Sequence, residues 1–145
     1  MITIKNVPTD TEYYQDMREL RNKVLLRPLG IADHAWEMHD QIAWHFAALD
    51  EDKVVGCALL VPSKENKYVA QLIQMAVDPT IQGKGIGKSL VTEIIKFAQL
   101  HQLNEITCHA RAYAAQFYEK LGFEKYGEPF EEVGIPHFMM TLKLR

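Results

Sequence analysis

Three glycines at alternate positions, Gly83, Gly85 and Gly87, stand between an apolar run ending at Val77 and a segment whose Ile86, Leu90, Ile94 and Phe97 recur at helical spacing. The chain must leave a strand, turn sharply and enter a helix, and glycine reaches the positive-φ conformations that such a turn uses. Without Cβ atoms the turn also lets a ligand approach the backbone, where the first N–H groups of the helix lack partners beside the positive end of its dipole. A phosphate suits that geometry. A ligand-free glycine turn satisfies the same three residues, so their surroundings must decide.

Two nucleotide-binding readings fail at single positions. Gly87-Lys88-Ser89 matches the end of the phosphate loop G-x-x-x-x-G-K-[ST], but the first glycine would fall on Gln82, and no later apolar strand ends in an Asp suited to magnesium. The dinucleotide fingerprint G-x-G-x-x-G needs glycine at 88, which is Lys88.

Periodicity places the turn within a longer order. A short strand over about residues 2–7 gives way to Tyr13, Met17, Leu20 and Val24 at helical spacing, broken at Pro28 and Gly30. Residues 31–41, with Asp33, His34, Trp36, Glu37, His39 and Asp40, read as a short helix or as a loop beside a site. Strands over about 42–50 and 53–61 join through Asp50-Glu51-Asp52-Lys53 as a hairpin, and Tyr68 to Val77 completes a meander. A helix over about 84–101, a strand around Ile106 and Cys108, a helix from Ala112 to Leu121 stopped by Gly122, and strands near 123–127 and 136–144 follow. Strand, helix, strand calls for one parallel pairing. The expected fold is α/β: a mixed, mostly antiparallel sheet of six to seven strands with about four helices, in one domain over residues 1–145.

Composition narrows the function. With 48% hydrophobic and 24% charged residues the chain suits a single sizeable core. Net charge is −3, and Lys and Arg are scattered, which leaves no electrostatic footprint for nucleic acid or anionic lipid. Cys57 and Cys108 both lie in apolar runs and make neither a disulfide scaffold nor a metal site. No stretch approaches the ~20 apolar residues that span a bilayer, and no apolar signal region opens the chain. The cytoplasm is the expected compartment.

Gln82, Gly85 and Gly87 meet the acetyl-CoA signature [QR]-x-x-G-x-[GA], with Val77-Asp78-Pro79 ahead of it. Ala114-Ala115-Gln116-Phe117-Tyr118-Glu119-Lys120-Leu121-Gly122-Phe123 matches a second landmark, A-x-x-[FL]-Y-x-x-x-G-F. Together they resemble the GNAT superfamily of N-acetyltransferases, strongly over about residues 54–127. Ala110-Arg111-Ala112 and Gly134-Ile135-Pro136-His137 resemble its ElaA-like branch. The resemblance implies acetyl-CoA as co-substrate and an amine as acceptor, with a homodimer through the last strands compatible with it. Cofactor binding would fall to the backbone of Met75, Ala76 and Val77, where the strand splays from its neighbour, and to the amides of Gln82, Gly83, Lys84, Gly85, Ile86, Gly87 and Lys88 around the pyrophosphate.

Acyl transfer from a thioester to an amine needs a neutral amine, a stabilised oxyanion and a proton for the departing thiolate. Tyr118 falls on the tyrosine that many relatives use as the acid, and a phenol of pKa about 10 is protonated at neutral pH. A core aromatic with a bonded tip would carry the same residue. The central-strand positions where relatives often carry Glu or His are Gln71 and Ile73, so a base must come from water or elsewhere: His137 first, because Pro136 restricts the start of the last strand, then His109 and Glu132, with Glu37, His39 and His45 behind them. Arg111 stands where many relatives have an Asn that holds the cofactor arm. Its fork of donors suits a CoA phosphate, a substrate carboxylate or a structural acid such as Glu119. Arg21 and Arg27 are expected in solvent, with the acceptor cleft as the other place for them. A CoA-binding or sensory module without turnover is the alternative function, which the missing strand carboxylate allows.

Overall fold

The computed structural model describes residues 1–81 and 83–145. Seven strands form one mixed sheet in the order β1-β2-β3-β4-β5-β7-β6. They are β1 (Ile2–Asn6), β2 (Trp44–Asp50), β3 (Lys53–Pro62), β4 (Val69–Val77), β5 (Glu105–Arg111), β6 (Glu124–Glu132) and β7 (Ile135–Lys143), with helices α1 (Glu12–Arg21), α2 (Ile86–Leu100) and α3 (Ala115–Lys120). Neighbours run antiparallel except β4 and β5, which the α2 crossover makes parallel. Three α-helices stand among the described residues where about four were expected. Residues 31–41 form turns, and α3 is reached through a single 3₁₀ turn at Ala112–Ala114. β6 runs on to Glu132, past the expected end near 127, because the chain bulges at Gly127 (φ 75°) and resumes pairing at Phe130.

α1 begins because Thr11 caps it, its hydroxyl accepting from the Tyr14 N–H, and Tyr14, Met17 and Leu20 turn one buried face to the sheet. That face meets Ala47, Leu49, Val54, Cys57 and Ala76. On the other side of the sheet α2 buries Ile86, Leu90, Val91, Ile94 and Ala98 against Phe46, Ala48, Val55, Ala58 and Leu60, and α3 adds Ala115 and Tyr118. Gly56 makes the close approach of α2 possible, since a Cβ there would stand 2.8 Å from Ile86 Cγ2 and 3.2 Å from Leu90 Cδ1. β2 and β3 are therefore covered on both faces and mostly apolar, with buried His45 the polar exception inside them.

β4 changes face midway. Ala70 and Leu72 belong to the α2 side, yet Ala76 belongs to the α1 side, a parity switch that needs one extra residue. The register against β3 slips between Cys57 and Leu59, and Gln74 takes φ 52°. After this bulge Met75 and Val77 pack against the α2-side core.

Candidate active site

β4 and β5 pair over only four rungs, Val69↔Glu105 to Leu72↔Cys108. Beyond them β4 stays with β3 to Val77, and β5 stays with β7 to Arg111. The facing backbone edges of Ile73–Val77 and His109–Arg111 thus have no strand partner across a widening seam. This is the splay expected at Met75, Ala76 and Val77, and the bulge at Gln74 lies inside it.

The glycine turn stands beside the seam. Gly83 (φ 87°) and Gly85 (φ 70°) adopt the left-handed conformation, and a Cβ on either would meet nothing within 4 Å. A Cβ on Gly87 would lie 3.5 Å from Phe117 and 3.8 Å from the Met75 methyl. α2 starts at Gly85 with no side-chain cap and no acidic residue in its first turn, unlike α1. Its leading N–H groups and dipole are thus left for an outside anion. Lys84 and Lys88 are exposed around it. Gln82 lies outside the described residues. The cradle fits a phosphate-bearing ligand on three counts: uncapped amides, two glycines opening on empty space, and cationic neighbours.

Tyr118 is buried between Phe117 and Phe123, with ring centroids 5.0 and 5.5 Å away. Burial, reinforced by the Cys108 and Tyr113 groups, pushes its phenol well above the ordinary range, so it keeps its proton. Among the described residues the only fully sealed side-chain polar atom without a partner is His45 Nδ1, so the Tyr118 hydroxyl is not a sealed, unpaired group.

On the opposite face, three of the base candidates come together. His137 is 4% exposed, and its Nδ1–H donates to the Ile135 carbonyl at 2.7 Å. Its Nε2 stands 3.6 Å from Glu132 Oε2, while His109 Nδ1 lies 3.2 Å from Glu132 Oε1. Phe130 stacks on His137 and meets His109 edge-on. Arg111 pairs with His137 in register, so the two share this face, and its guanidinium donates to the Tyr113 hydroxyl at 3.1 Å. It does not pair with Glu119.

Most of the remaining candidates are engaged in contacts elsewhere. Arg21, expected in solvent or facing the cleft, is 3% exposed and donates to both oxygens of buried Asp40, at 2.9 and 2.6 Å. Asp40 also accepts from the Tyr14 hydroxyl at 2.6 Å. Burial pushes the Asp40 carboxyl up, but hydrogen bonds from Arg21 and Tyr14 outweigh it and hold the group below the usual range. Arg21 reaches Gln74 Oε1 as well, and Gln74 donates to the Trp36 carbonyl, which ties residues 31–41 to the β4 bulge. Nothing in the sequence pattern announced Gln74, since positive φ at a non-glycine residue leaves no compositional mark. His45 is buried with Nε2 on the Asp40 carbonyl, and burial lowers its pKa. Glu37 is taken up by Arg18 and His34, and Arg27 by Glu19 and Asp33. His39 is exposed. Cys57 and Cys108 are buried free thiols. Among the described residues no group of three or more His, Cys, Asp or Glu is disposed to hold a metal ion, and no helix is long and apolar enough to cross a membrane.

The Acetyltransferase (GNAT) domain profile matches residues 12–144. The chain is 32% identical over 117 residues to an N-acetylaspartate synthetase of Danio rerio, covering 73% of this chain but only 41% of that protein. Its fold is similar to Escherichia coli ElaA, with TM-score 0.86 and 20% identity over 98% of this chain and 99% of the other. It is also similar to a GNAT family acetyltransferase from Elizabethkingia anophelis crystallised with acetyl-CoA bound, with TM-score 0.74 and 19% identity over 98% and 97% of the two chains. The splayed pair, the glycine turn and the profile match over nearly the whole sequence agree, and the chain belongs to the GNAT acetyltransferase family.

Proposed function

We propose that the chain acts as a single domain over residues 1–145 and transfers an acetyl group from acetyl-CoA to an amine. The observation that carries this reading is the seam between β4 and β5 beside the uncapped start of α2, with Tyr118 on the α2 side of the sheet and His137 on the opposite face at the end of β5. The amides of Gly83, Lys84, Gly85, Ile86, Gly87 and Lys88, with Gln82 at the head of the signature, hold the pyrophosphate. The free backbone edge of Met75, Ala76 and Val77 holds the pantetheine arm and polarises the thioester carbonyl. The related structure with acetyl-CoA bound supports that co-substrate.

The acceptor enters as an ammonium, and His137 Nε2, the ring nitrogen left bare by the Nδ1–H bond to Ile135, takes one proton. The amine nitrogen attacks the thioester carbon, the C–N bond forms, and the C–S bond breaks. Tyr118 gives its proton to the departing sulfur and recovers one from the nitrogen, so the products are the acetamide, CoA thiol and one proton released through His137. The two buried free thiols suit a reducing compartment, which supports the cytoplasm as the place of action.

Calorimetric titration with acetyl-CoA tests the reading, with Gly85→Trp as the comparison once circular dichroism has shown it folded. We expect wild type to bind and the variant, with an indole in the open space over the turn, not to bind. Absence of binding by wild type sinks the assignment. Binding without acetylation of any amine would favour the CoA-binding module, which Gln71 and Ile73 on the central strand leave open.

A further inference from the structure

We propose that the acceptor is an aminocarboxylate, its ammonium seated between Glu132 and His137 and its carboxylate held by Arg111. This rests on the acetyl transfer proposed above and names the class of its second substrate.

The ammonium seat follows from tautomer geometry. A carbonyl can only accept, so the 2.7 Å contact with Ile135 puts the hydrogen of neutral His137 on Nδ1 and leaves Nε2 a bare acceptor. The atom it faces at 3.6 Å is a carboxylate oxygen, also an acceptor. Two acceptors aimed at one gap call for a donor with at least two hydrogens, and an ammonium supplies three. The other Glu132 oxygen is occupied by His109, and Phe130 packs against both imidazoles, so Oε2 is the oxygen that half-exposed Glu132 keeps for a ligand.

Arg111 supplies the second half. The other four arginines are accounted for: Arg18 by Glu37, Arg21 by Asp40, Arg27 by Glu19 and Asp33, and Arg145 by backbone carbonyls of Gln99 and Leu103. Among the described residues Arg111 touches only a neutral phenol, so its charge has no acid to balance it. It lies directly opposite His137 across β5 and β7, where facing Cβ atoms are about 5 Å apart, and Phe130 lies opposite His137 on the other side. Arg111, His137 and Phe130 therefore form one row on one face, with Glu132 two residues along β6 on the same side. A cation and an anion stand to either side of the imidazole without joining one another. A small molecule carrying an ammonium and a carboxylate a few bonds apart satisfies both at once. A plain amine leaves the guanidinium unmatched.

The test uses purified full chain, acetyl-CoA, and matched pairs of acceptors: glycine, β-alanine and 4-aminobutyrate against methylamine, ethylamine and propylamine. Wild type should acetylate at least one aminocarboxylate with kcat/KM at least tenfold above its matched amine. Arg111→Gln should reduce that ratio by about tenfold or more, acting mainly on the acceptor KM, and Arg111→Lys should restore part of it, as expected for a lost charge-assisted contact. Glu132→Gln should raise KM for both members of a pair. A wild-type preference for the plain amines overturns the proposal, as does a ratio unmoved in Arg111→Gln. So does a loss of acetyl-CoA affinity in that variant, since it would put Arg111 on the cofactor. Wild type that binds acetyl-CoA but acetylates none of the six overturns the acceptor class alone, whereas wild type that binds no acetyl-CoA removes the underlying reading.

Discussion

Arg21 and Asp40 show how a single pair of side chains can hold an irregular segment in place. Both are almost fully buried, and each is satisfied several times over: Asp40 by Arg21 and Tyr14, Arg21 by Asp40 and Gln74. Removing one partner leaves a charge stranded in the interior, a loss of about 3–5 kcal/mol. Arg21→Met should lower the stability measured in urea by that amount, and adding Asp40→Leu should recover a large part of it. The pair also sets an acid limit. Because the folded state holds the Asp40 proton less tightly than the unfolded chain does, its contribution is complete above the unfolded value of about 3.9 and is lost as pH falls through the lower folded value. Urea midpoints of wild type should therefore fall steeply below about pH 4, and those of the double variant less so. The sequence gives no notice of this pair: its members lie 19 residues apart, and Asp40 sits in a stretch without periodicity. The glycines of the turn, by contrast, are legible because φ values of 87° and 70° leave few other choices.

Helix α2 lies close on the sheet because one residue beneath it has no side chain. Ile86 and Leu90 occupy the space that a Cβ on Gly56 would take, and the branched Ile86 has little freedom to retreat. Gly56→Ala should thus cost about 1–3 kcal/mol as overpacking, read as a lower urea midpoint at unchanged slope. Should α2 tilt to make room, the start of the helix would shift with it, and acetyl-CoA affinity would fall in the same variant. The hydrophobic period foretold α2 to within two residues at its start and one at its end, since its apolar stripe is long and regular. β6 was harder to read. Gly127 and Pro129 look like the end of a strand, but the chain bulges there and pairs again from Phe130. That continuation carries Glu132 to His137 and His109, so the cluster on the acceptor face could be named residue by residue from the sequence but not assembled.

For the molecule as a whole, one sheet with a core on each face predicts a single cooperative thermal transition whose midpoint rises with acetyl-CoA. A ligand at a hundredfold excess over its Kd adds about 2.7 kcal/mol to the folded state. Scanning calorimetry should show one peak moving upward in wild type and standing still in Gly85→Trp. Two resolved peaks would contradict a single domain. The fold class, the order of elements along the chain and the one parallel pairing were readable because local periods and one crossover leave few topologies open; the acceptor cleft was not, because its residues come from separated, partly irregular segments. The four rungs between β4 and β5 have a further consequence. Among the described residues they are the only strand pairing that joins the block β1 to β4 to the block β5, β7 and β6. The second block reaches back across that narrow join with α2, whose Ile86 enters the notch at Gly56. The molecule is thus put together like a mortise and tenon cut from one length of chain. Nicked within residues 79–81, it would yield two pieces whose reassembly depends chiefly on the fit of that joint.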